Sequence, residues 1–192
     1  MYTPKKFDSL LGLEGFSDNA LKTHFGLYEG YVTNTNKVQE LLDKLRTEEK
    51  TATPEYAELK RRFAWEWNGM RLHEIYFESL SKNPTPLDDS SSLGSQIKQD
   101  FGSFEEWQKD FTATAAMRGI GWAILYWDPI HKKLTNNWVN EHYVGHMSGA
   151  IPLLPCDVFE HAFITDYGLK RADYIEAFFK NINWGTVESQ LK

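Results

Sequence analysis

Four side chains of this sequence have the types expected of a metal site. They are His24, His73, Asp157 and His161, and they lie in separate parts of the chain. Three imidazoles and one carboxylate suit an ion of iron, manganese or zinc. Their local contexts favour one-electron redox chemistry at a single ion.

Asp157 and His161 form the most specific part of this pattern. A short apolar segment, 151–157, ends in the carboxylate, and the histidine follows four residues later. Both side chains can turn to one ion, and a buried carboxylate without a charged or hydrogen-bonded partner is strongly disfavoured. A surface turn with an ion pair is the alternative, but the apolar residues on both sides favour a metal.

His24 and His73 are each placed in a helical context. His24 precedes Tyr31 by seven residues, so the two share one helix face; a core histidine beside a core tyrosine is the alternative. Gly69 lies one turn before His73, and a glycine inside a helix costs about 1 kcal/mol relative to alanine. We therefore expect a bulky group, such as a side chain that reaches the metal shell, to approach Gly69, or else a helix–helix crossing.

The other three histidines are weaker candidates. His131 lies in a predicted hairpin turn, where we expect it to be exposed. His142 and His146 are four residues apart, a spacing that suits a second metal pair. We rank this second site below a role for these residues around the first one.

Composition restricts the partners and the compartment. The chain has 192 residues, a formal charge of -6 and one cysteine, Cys156. Its acidity argues against nucleic acid, and an anionic substrate would need a local basic funnel. A single cysteine cannot form an intrachain disulfide, and we find neither an apolar signal core nor a run of about 20 apolar residues. We expect a cytoplasmic protein without a membrane partner.

Two long helices are predicted to position the first two histidines. Residues 1–16 read as an extended arm, and Ser17 then caps a helix that runs from Asp18 to about Arg46. Thr53 and the proline after it begin a second helix that ends near residue 80. The short connection between them favours an antiparallel hairpin.

A linker rich in proline and serine, 83–92, is predicted to divide the chain. We place an N-terminal helical hairpin domain at 1–86 and a C-terminal α/β domain at 87–192. The elements predicted for the second domain are helices near 92–99 and from 103, strands at 121–127, 132–139 and 151–157, and a closing helix at 171–181.

Several segments resemble the iron/manganese superoxide dismutase family, over nearly the full length of the chain. Residues 157–163, Asp-Val-Phe-Glu-His-Ala-Phe, are similar to its Asp-Val-Trp-Glu-His-Ala-Tyr signature. Residues 171–178 are similar to its Arg-Pro-Asp-Tyr-Ile-x-Ala-Phe segment. Residues 119–123 resemble its Gly-Ser-Gly-Trp-Ala strand opening, and residues 31–34 resemble the end of its first ligand helix. Matches in family order are more specific together than any one alone.

This resemblance implies an α+β fold, with an antiparallel α-helical hairpin followed by an α/β domain that has a three-stranded antiparallel sheet. It implies conversion of superoxide to oxygen and hydrogen peroxide by one-electron cycling of one iron or manganese ion per subunit. His24, His73, Asp157 and His161 would be the protein ligands, with a water or hydroxide as the fifth. Tyr31 would stand at the substrate entrance and relay protons.

The resemblance also implies a homodimer. Glu160 resembles the glutamate that, in the family, bonds the partner's His161. Trp122 would form part of an aromatic wall, and Arg171 and Tyr174 would lie near an access path on the dimer side. The candidate cations for a local positive field around the substrate path are Lys22, Lys170 and Arg171.

The sequence departs from the family where a glutamine should hold the metal-bound water. In one subgroup this glutamine lies one turn before the second ligand histidine, where this chain has Gly69. In the other it follows an asparagine in the sheet domain, where this chain reads Asn140, Glu141, His142. His142 is our candidate substitute and Glu141 the alternative. Because histidine titrates near neutrality, His142 predicts a pH-dependent potential or activity.

Two further departures keep other functions open. The segment after His24 is one residue shorter than in the family, which puts Tyr28 near the position of an entrance histidine, and Phe159 replaces a tryptophan. The alternatives are a metal-binding relative without turnover and a non-haem iron oxygenase, which uses two histidines and one carboxylate. A complete set of four ligands, with a third histidine, argues against both.

Overall fold

A computed structural model describes residues 1–191, and it begins with a hairpin of two long helices. Helix α1 spans Asp18–Thr47 and helix α2 spans Pro54–Glu78. Oγ of Ser17 accepts from the third residue of α1, and Oγ1 of Thr53 accepts from the third residue of α2. Both predicted helix starts are confirmed, and both predicted ends lie within two residues of the observed ones.

The arm before α1 is less extended than we predicted. It contains a 3-10 turn at Asp8–Leu10. Gly12 and Gly15 both adopt positive φ angles, 84° and 79°, so the chain turns at each of them. Phe7 packs on Phe25 and Phe77 of the hairpin. Four apolar residues of the arm are buried: Phe7, Leu10, Leu13 and Phe16. Burial of these side chains explains why the arm folds back instead of extending.

The rest of the chain forms a small sheet surrounded by short helices. The elements, in chain order, are α3 Ser92–Phe101, α4 Phe104–Ala115, β1 Gly121–Asp128, β2 Lys133–Asn140, β3 Ile151–Asp157, α5 Glu160–Tyr167, α6 Arg171–Lys180 and α7 Trp184–Ser189. The three-stranded antiparallel sheet is confirmed, and its strand order is β2-β1-β3. The helix α6 does not close the chain, because the short α7 follows it.

The central strand β1 places the site. All but its last residue are buried; the ring of Trp122 contacts Tyr76 of α2, and the strand also packs on α4. Trp122 and Tyr126 are four residues apart and therefore share one face. Trp122 is paired with Asp157, the last residue of β3, which brings that carboxylate to the helical hairpin. Among the described residues, no helix combines the length and apolar character that crossing a bilayer needs.

Candidate metal centre

One buried carboxylate oxygen lies at the centre of the site. Oδ2 of Asp157 is 3.1 Å from Nε2 of His24, 3.0 Å from Nε2 of His161 and 3.5 Å from Nε2 of His73. One ligand atom from each of the four side chains lies within 4.8 Å of all the others. Atoms about 2.1 Å from a common ion lie on the order of 3–4 Å apart. The predicted convergence is confirmed, and we call these four residues the ligand cluster.

Each member of the ligand cluster comes from a different element. His24 lies on α1, His73 on α2, Asp157 at the end of β3 and His161 in the first turn of α5. Oδ1 of Asp157 accepts the backbone N–H of Phe159 at 2.9 Å. This bond orients the carboxylate so that Oδ2 faces the three imidazoles.

His73 shows that the cluster suits a cation. Its Nδ1 lies 2.6 Å from the carbonyl oxygen of Gly69 and donates to it, because a carbonyl only accepts. Its Nε2 therefore carries a lone pair, and this buried atom has no hydrogen-bond partner within residues 1–191. Buried polar atoms are rarely left unpaired. A metal ion bound at Nε2, with the other nitrogen held by a carbonyl, is the usual arrangement for a ligand histidine.

The electrostatics of the cluster also fit metal binding. Burial alone would raise the pKa of Asp157, but the charge and hydrogen bond of His161, followed by those of His24, hold it well below its usual range. Burial lowers the pKa of His24 and, more strongly, that of His73. For His161, the nearby Asp157 outweighs burial and the pKa is raised. The cluster therefore offers an anionic carboxylate and, at His24 and His73, neutral imidazoles, which are the forms that bind a metal. At His161 a metal ion would replace the proton that Asp157 favours.

A hydrogen-bonded network lies beside the cluster. Nε1 of Trp122 donates to Nδ1 of His142 at 3.0 Å, and Nε2 of His142 lies 2.7 Å from the hydroxyl of Tyr31. An indole N–H can only donate, so a neutral His142 carries its proton on Nε2 and donates to Tyr31. We call Trp122, His142 and Tyr31 the donor network.

His142 does not titrate where the sequence predicted. It is fully buried, and burial lowers its pKa to about 4. The expectation of titration near neutrality is therefore wrong, because loss of hydration disfavours the imidazolium. Glu141, the alternative, is half-buried and adopts a φ angle of 52°. His142 is the residue of the two that contacts Tyr31.

The expected close approach to Gly69 is confirmed, and the group that approaches is Tyr31. A Cβ atom on Gly69 would lie 2.7 Å from Cδ1 of the Tyr31 ring. The ring centroid of Tyr31 is also 5.2 Å from that of His73. The glycine therefore gives the tyrosine the space to lie against the cluster.

Aromatic rings connect the ligand cluster to the donor network. The ring of Trp122 meets that of His73 edge-on, with centroids 5.1 Å apart. Phe159 stacks on His142 at 4.6 Å and on His161 at 5.1 Å. The phenylalanine that replaces the family's tryptophan thus packs between a ligand-cluster residue and a donor-network residue.

Tyr28 and Tyr174 lie elsewhere than the sequence predicted. Tyr28 is fully buried, and its hydroxyl donates to Glu74 and accepts from the backbone of Lys5, so it faces the N-terminal arm. Tyr174 is also fully buried, and its hydroxyl donates to the backbone carbonyl of Asp157 at 2.7 Å. Tyr174 thus supports a cluster residue from behind, and neither tyrosine lies at an exposed entrance.

The remaining predicted residues lie at the periphery. Glu160 is exposed at the start of α5, and its carboxylate makes no ion pair within the described part of the chain. Arg171 donates to the carbonyls of Met117 and Gly119 and lies over the ring of Phe163. Lys22 and Lys170 are exposed, as is His131.

Our sequence reasoning missed two groups next to the donor network. Trp65 packs its ring against His142 with centroids 4.9 Å apart, and Arg62 lies over that indole while it pairs with the buried Glu66. The spacing of Arg62, Glu66 and His73, four and seven residues along α2, was a usable signal for a shared helix face. The second group joins His146, for which we expected a role around the first site, to Tyr126, which no sequence pattern indicates.

The helical hairpin and the three-stranded antiparallel sheet, which meet around three histidines and one aspartate, define a protein with a mononuclear metal site. Residues 89–190 match the profile described as iron/manganese superoxide dismutases, C-terminal domain. The chain belongs to the iron/manganese superoxide dismutase family.

Relatives of both metal types are similar along most of the chain. A protein named superoxide dismutase [Fe] from Aquifex pyrophilus is 37% identical, over 98% of this chain and 90% of its own length. One of that name from Cupriavidus metallidurans is 36% identical, over 90% of this chain and 86% of its own length. Superoxide dismutase [Mn] 2 from Haloferax volcanii is 32% identical, over 94% of this chain and 88% of its own length.

Proposed function

We propose that this protein is a superoxide dismutase that uses one iron or manganese ion per subunit. Two superoxide anions and two protons would be converted to one molecule of oxygen and one of hydrogen peroxide. The observation that carries this proposal is the buried ligand cluster, in which three Nε2 atoms surround Oδ2 of Asp157. When bound, the ion supplies one-electron redox chemistry between its trivalent and divalent states.

The ligand cluster would hold this ion. Anionic Asp157 favours the higher charge, and the carbonyl of Gly69 keeps the Nε2 lone pair of His73 directed inwards. Trp122 and Phe159 exclude water from the sides of the cluster, since both are buried. Superoxide is small, so a narrow access path is sufficient.

We propose Tyr31 and His142 as the catalytic residues. Trp122 occupies Nδ1 of His142, so the proton of the imidazole stays on Nε2 and is donated to Tyr31. The hydroxyl hydrogen of Tyr31 is then free to point towards a bound substrate. Tyr31 is half-buried while its two partners are buried, which suits a residue between the site and solvent. His142, rather than Glu141, would take the role of the family's glutamine.

The two alternative functions have weaker support. An iron oxygenase of the two-histidine type leaves one face of the ion open, whereas here a third Nε2 faces the same carboxylate oxygen. A relative without turnover would have no need of the donor network, whose bonds of 2.7 and 3.0 Å are intact.

We also propose a homodimer that forms through Glu160 and His161. Glu160 is an exposed carboxylate without an ion pair among residues 1–191, and it adjoins a half-buried member of the ligand cluster. Leu169, which is 93% exposed, lines the same surface groove as Glu160 and Arg171. A partner subunit at this surface would cover the leucine and satisfy the carboxylate.

Two organisational predictions complete the proposal. A cytoplasmic location is supported by Cys156, which is a free and buried thiol. A domain division at residues 86 and 87 is supported by the helical hairpin on one side and by the family match that begins at residue 89 on the other.

The decisive experiment is separate reconstitution with iron and with manganese. We expect one ion per chain and superoxide consumption by at least one of the two forms. Asp157→Asn should abolish both metal retention and consumption, whereas Asp43→Asn, a change on α1 outside the ligand cluster, should leave both intact. Full metal content without superoxide consumption would favour the relative without turnover, and oxygen uptake with organic substrates would favour the oxygenase.

A further inference from the structure

His142 and His146 lie on one loop but bond to the protein in different ways. Nε2 of His146 is 3.0 Å from the backbone carbonyl oxygen of His142, and its Nδ1 is 2.7 Å from the hydroxyl of Tyr126. A carbonyl can only accept, so His146 donates from Nε2. In the neutral imidazole Nδ1 then accepts, and the hydroxyl of Tyr126 donates to it.

These bonds leave no nitrogen for a second metal ion. Both nitrogens of His142 are bonded, to Trp122 and Tyr31, and both nitrogens of His146 are bonded as well. His142 and His146 are four residues apart, which suggested a metal pair. Their hydrogen-bond partners on β1, Trp122 and Tyr126, are also four residues apart. Trp122 and Tyr126 share one face of β1, and each donates to one of the two histidines.

The loop that carries His142 has an unfavourable backbone. Glu141 adopts a φ angle of 52°, which is uncommon for a residue other than glycine, and Gly145 adopts 104°. A Cβ atom on Gly145 would lie 2.9 Å from the carbonyl oxygen of Trp138. Such conformations persist only where surrounding contacts enforce them.

Besides the paired backbone bonds between Asn140 and Val144, three contacts hold this loop, and one of them acts on His142 itself. The backbone N–H of Glu141 donates to the carbonyl of Ile120 at 3.0 Å, and the side chain of Asn137 donates to the carbonyl of Gly145 at 2.7 Å. The bond from His146 is the one that reaches the peptide of His142. The peptide is thus fixed from one side while Trp122 fixes the ring from the other.

We propose that Tyr126 and His146 are a positioning pair for the donor network. They hold the carbonyl of His142 so that its Nε2–H meets the hydroxyl of Tyr31. Neither residue touches the substrate or the ligand cluster. This inference rests on the role proposed above for His142.

The test uses full-length, manganese-loaded protein and two readouts, the reduction potential and superoxide turnover. His146→Ala removes the bond to the carbonyl, and His146→Gln keeps a side-chain donor. Tyr126→Phe removes the hydroxyl only. The control is His131→Ala, an exposed histidine in the turn of the same hairpin.

We expect His146→Ala to keep its manganese, to shift in potential relative to His131→Ala and to lose turnover by roughly three- to tenfold. This loss is below the 10–100-fold that is typical when a direct outer partner of a metal ligand is removed. Tyr126→Phe should shift the potential in the same direction and also lower the turnover, both by a smaller amount. His146→Gln should restore the potential at least in part, which a purely structural defect would not predict.

The outcomes separate this inference from the proposed function. If His146→Ala behaves like His131→Ala while the wild type turns over superoxide, the positioning role is wrong. If the wild type has no turnover with either manganese or iron but the potential still shifts, the positioning role stands and the proposed function fails. If His146→Ala does not fold, Tyr126→Phe decides, and an unchanged potential in that variant overturns the inference.

Discussion

The ligand cluster and the donor network lie side by side but depend on different kinds of structure. All members of the cluster come from helices or a strand end, and they are arranged around a single carboxylate oxygen. The network depends on His142, whose loop contains residues with positive φ angles and is held by Asn137 on β2 and by His146 within the loop. Metal retention and redox tuning should therefore fail separately when the protein is altered.

The largest expected effect is that of Asp157→Asn. The change keeps the shape of the side chain but removes the negative charge that three imidazoles face. We expect metal affinity to fall by at least about 100-fold, beyond the effect of losing an outer partner. Metal analysis after manganese loading measures this. A variant that retains its manganese would show that the cluster does not depend on its carboxylate.

The donor network should respond differently, and His142→Ala tests this difference. The variant loses both ring bonds, to Trp122 and Tyr31, but no cluster residue. We expect full metal content with a turnover that is lower by roughly 10- to 100-fold. His142→Gln should recover part of this loss, because the amide can still donate to Tyr31. Loss of the metal in His142→Ala would contradict the separation of the two groups.

Burial of neutral His142 should also appear in the acid stability of the metal-free protein. Its pKa is about 4 when folded, against 6.5 for an ordinary histidine. As the pH falls, the unfolded chain protonates this histidine near pH 6.5, whereas the folded chain does so only near pH 4. The contribution of neutral His142 to the free energy of unfolding is therefore fully present above pH 6.5 and is lost as the pH falls towards 4.

Between pH 7 and pH 4.5 this loss amounts to about 2–3 kcal/mol. Denaturant unfolding of the metal-free protein at both pH values measures it. The free energy of unfolding should fall more steeply in the wild type than in His142→Gln, because the other groups are common to both. Equal slopes would show that His142 is not held neutral by burial.

A smaller effect is expected where Tyr31 meets α2. Gly69→Ala places a Cβ atom 2.7 Å from the Tyr31 ring and must displace it. Overpacking of this kind costs about 1–3 kcal/mol, partly offset by the better helix propensity of alanine. We expect a net loss of stability together with lower turnover.

Gly26→Ala is the matched control for Gly69→Ala. It lies in α1, and a Cβ atom there meets nothing within 4 Å. The control should gain up to about 1 kcal/mol of stability. Urea denaturation compares the two variants, and equal effects would contradict the packing argument.

The sequence was sufficient to predict the ligand cluster and most of the elements that hold it. The caps at Ser17 and Thr53 gave the two helix starts, and the apolar segment 151–157 gave the strand that ends in Asp157. It was not sufficient for Tyr126 and His146, because their contacts join residues 20 positions apart, across the turn of the hairpin and the loop after it. Local periodicity contains no information about such contacts.

The pKa of His142 was mispredicted for a related reason. Titration near neutrality is the ordinary behaviour of an exposed imidazole, and only the packing of Phe159, Trp65 and Trp122 around this ring removes it from water. Similarly, the sequence places Tyr28 near the position of the family's entrance histidine, but its hydroxyl donates to Glu74 on α2. The buried surroundings of each side chain therefore determine the pKa of His142 and the hydrogen-bond partner of Tyr28.

The contact between Gly69 and Tyr31 also limits which residues position 69 can accept. The Tyr31 ring lies against bare backbone there, and an added Cβ atom would lie 2.7 Å from Cδ1 of the ring. Any side chain at position 69, a glutamine included, would therefore have to displace the tyrosine. Positions 31 and 69 are thus coupled, and a larger residue at position 69 calls for a compensating change at position 31.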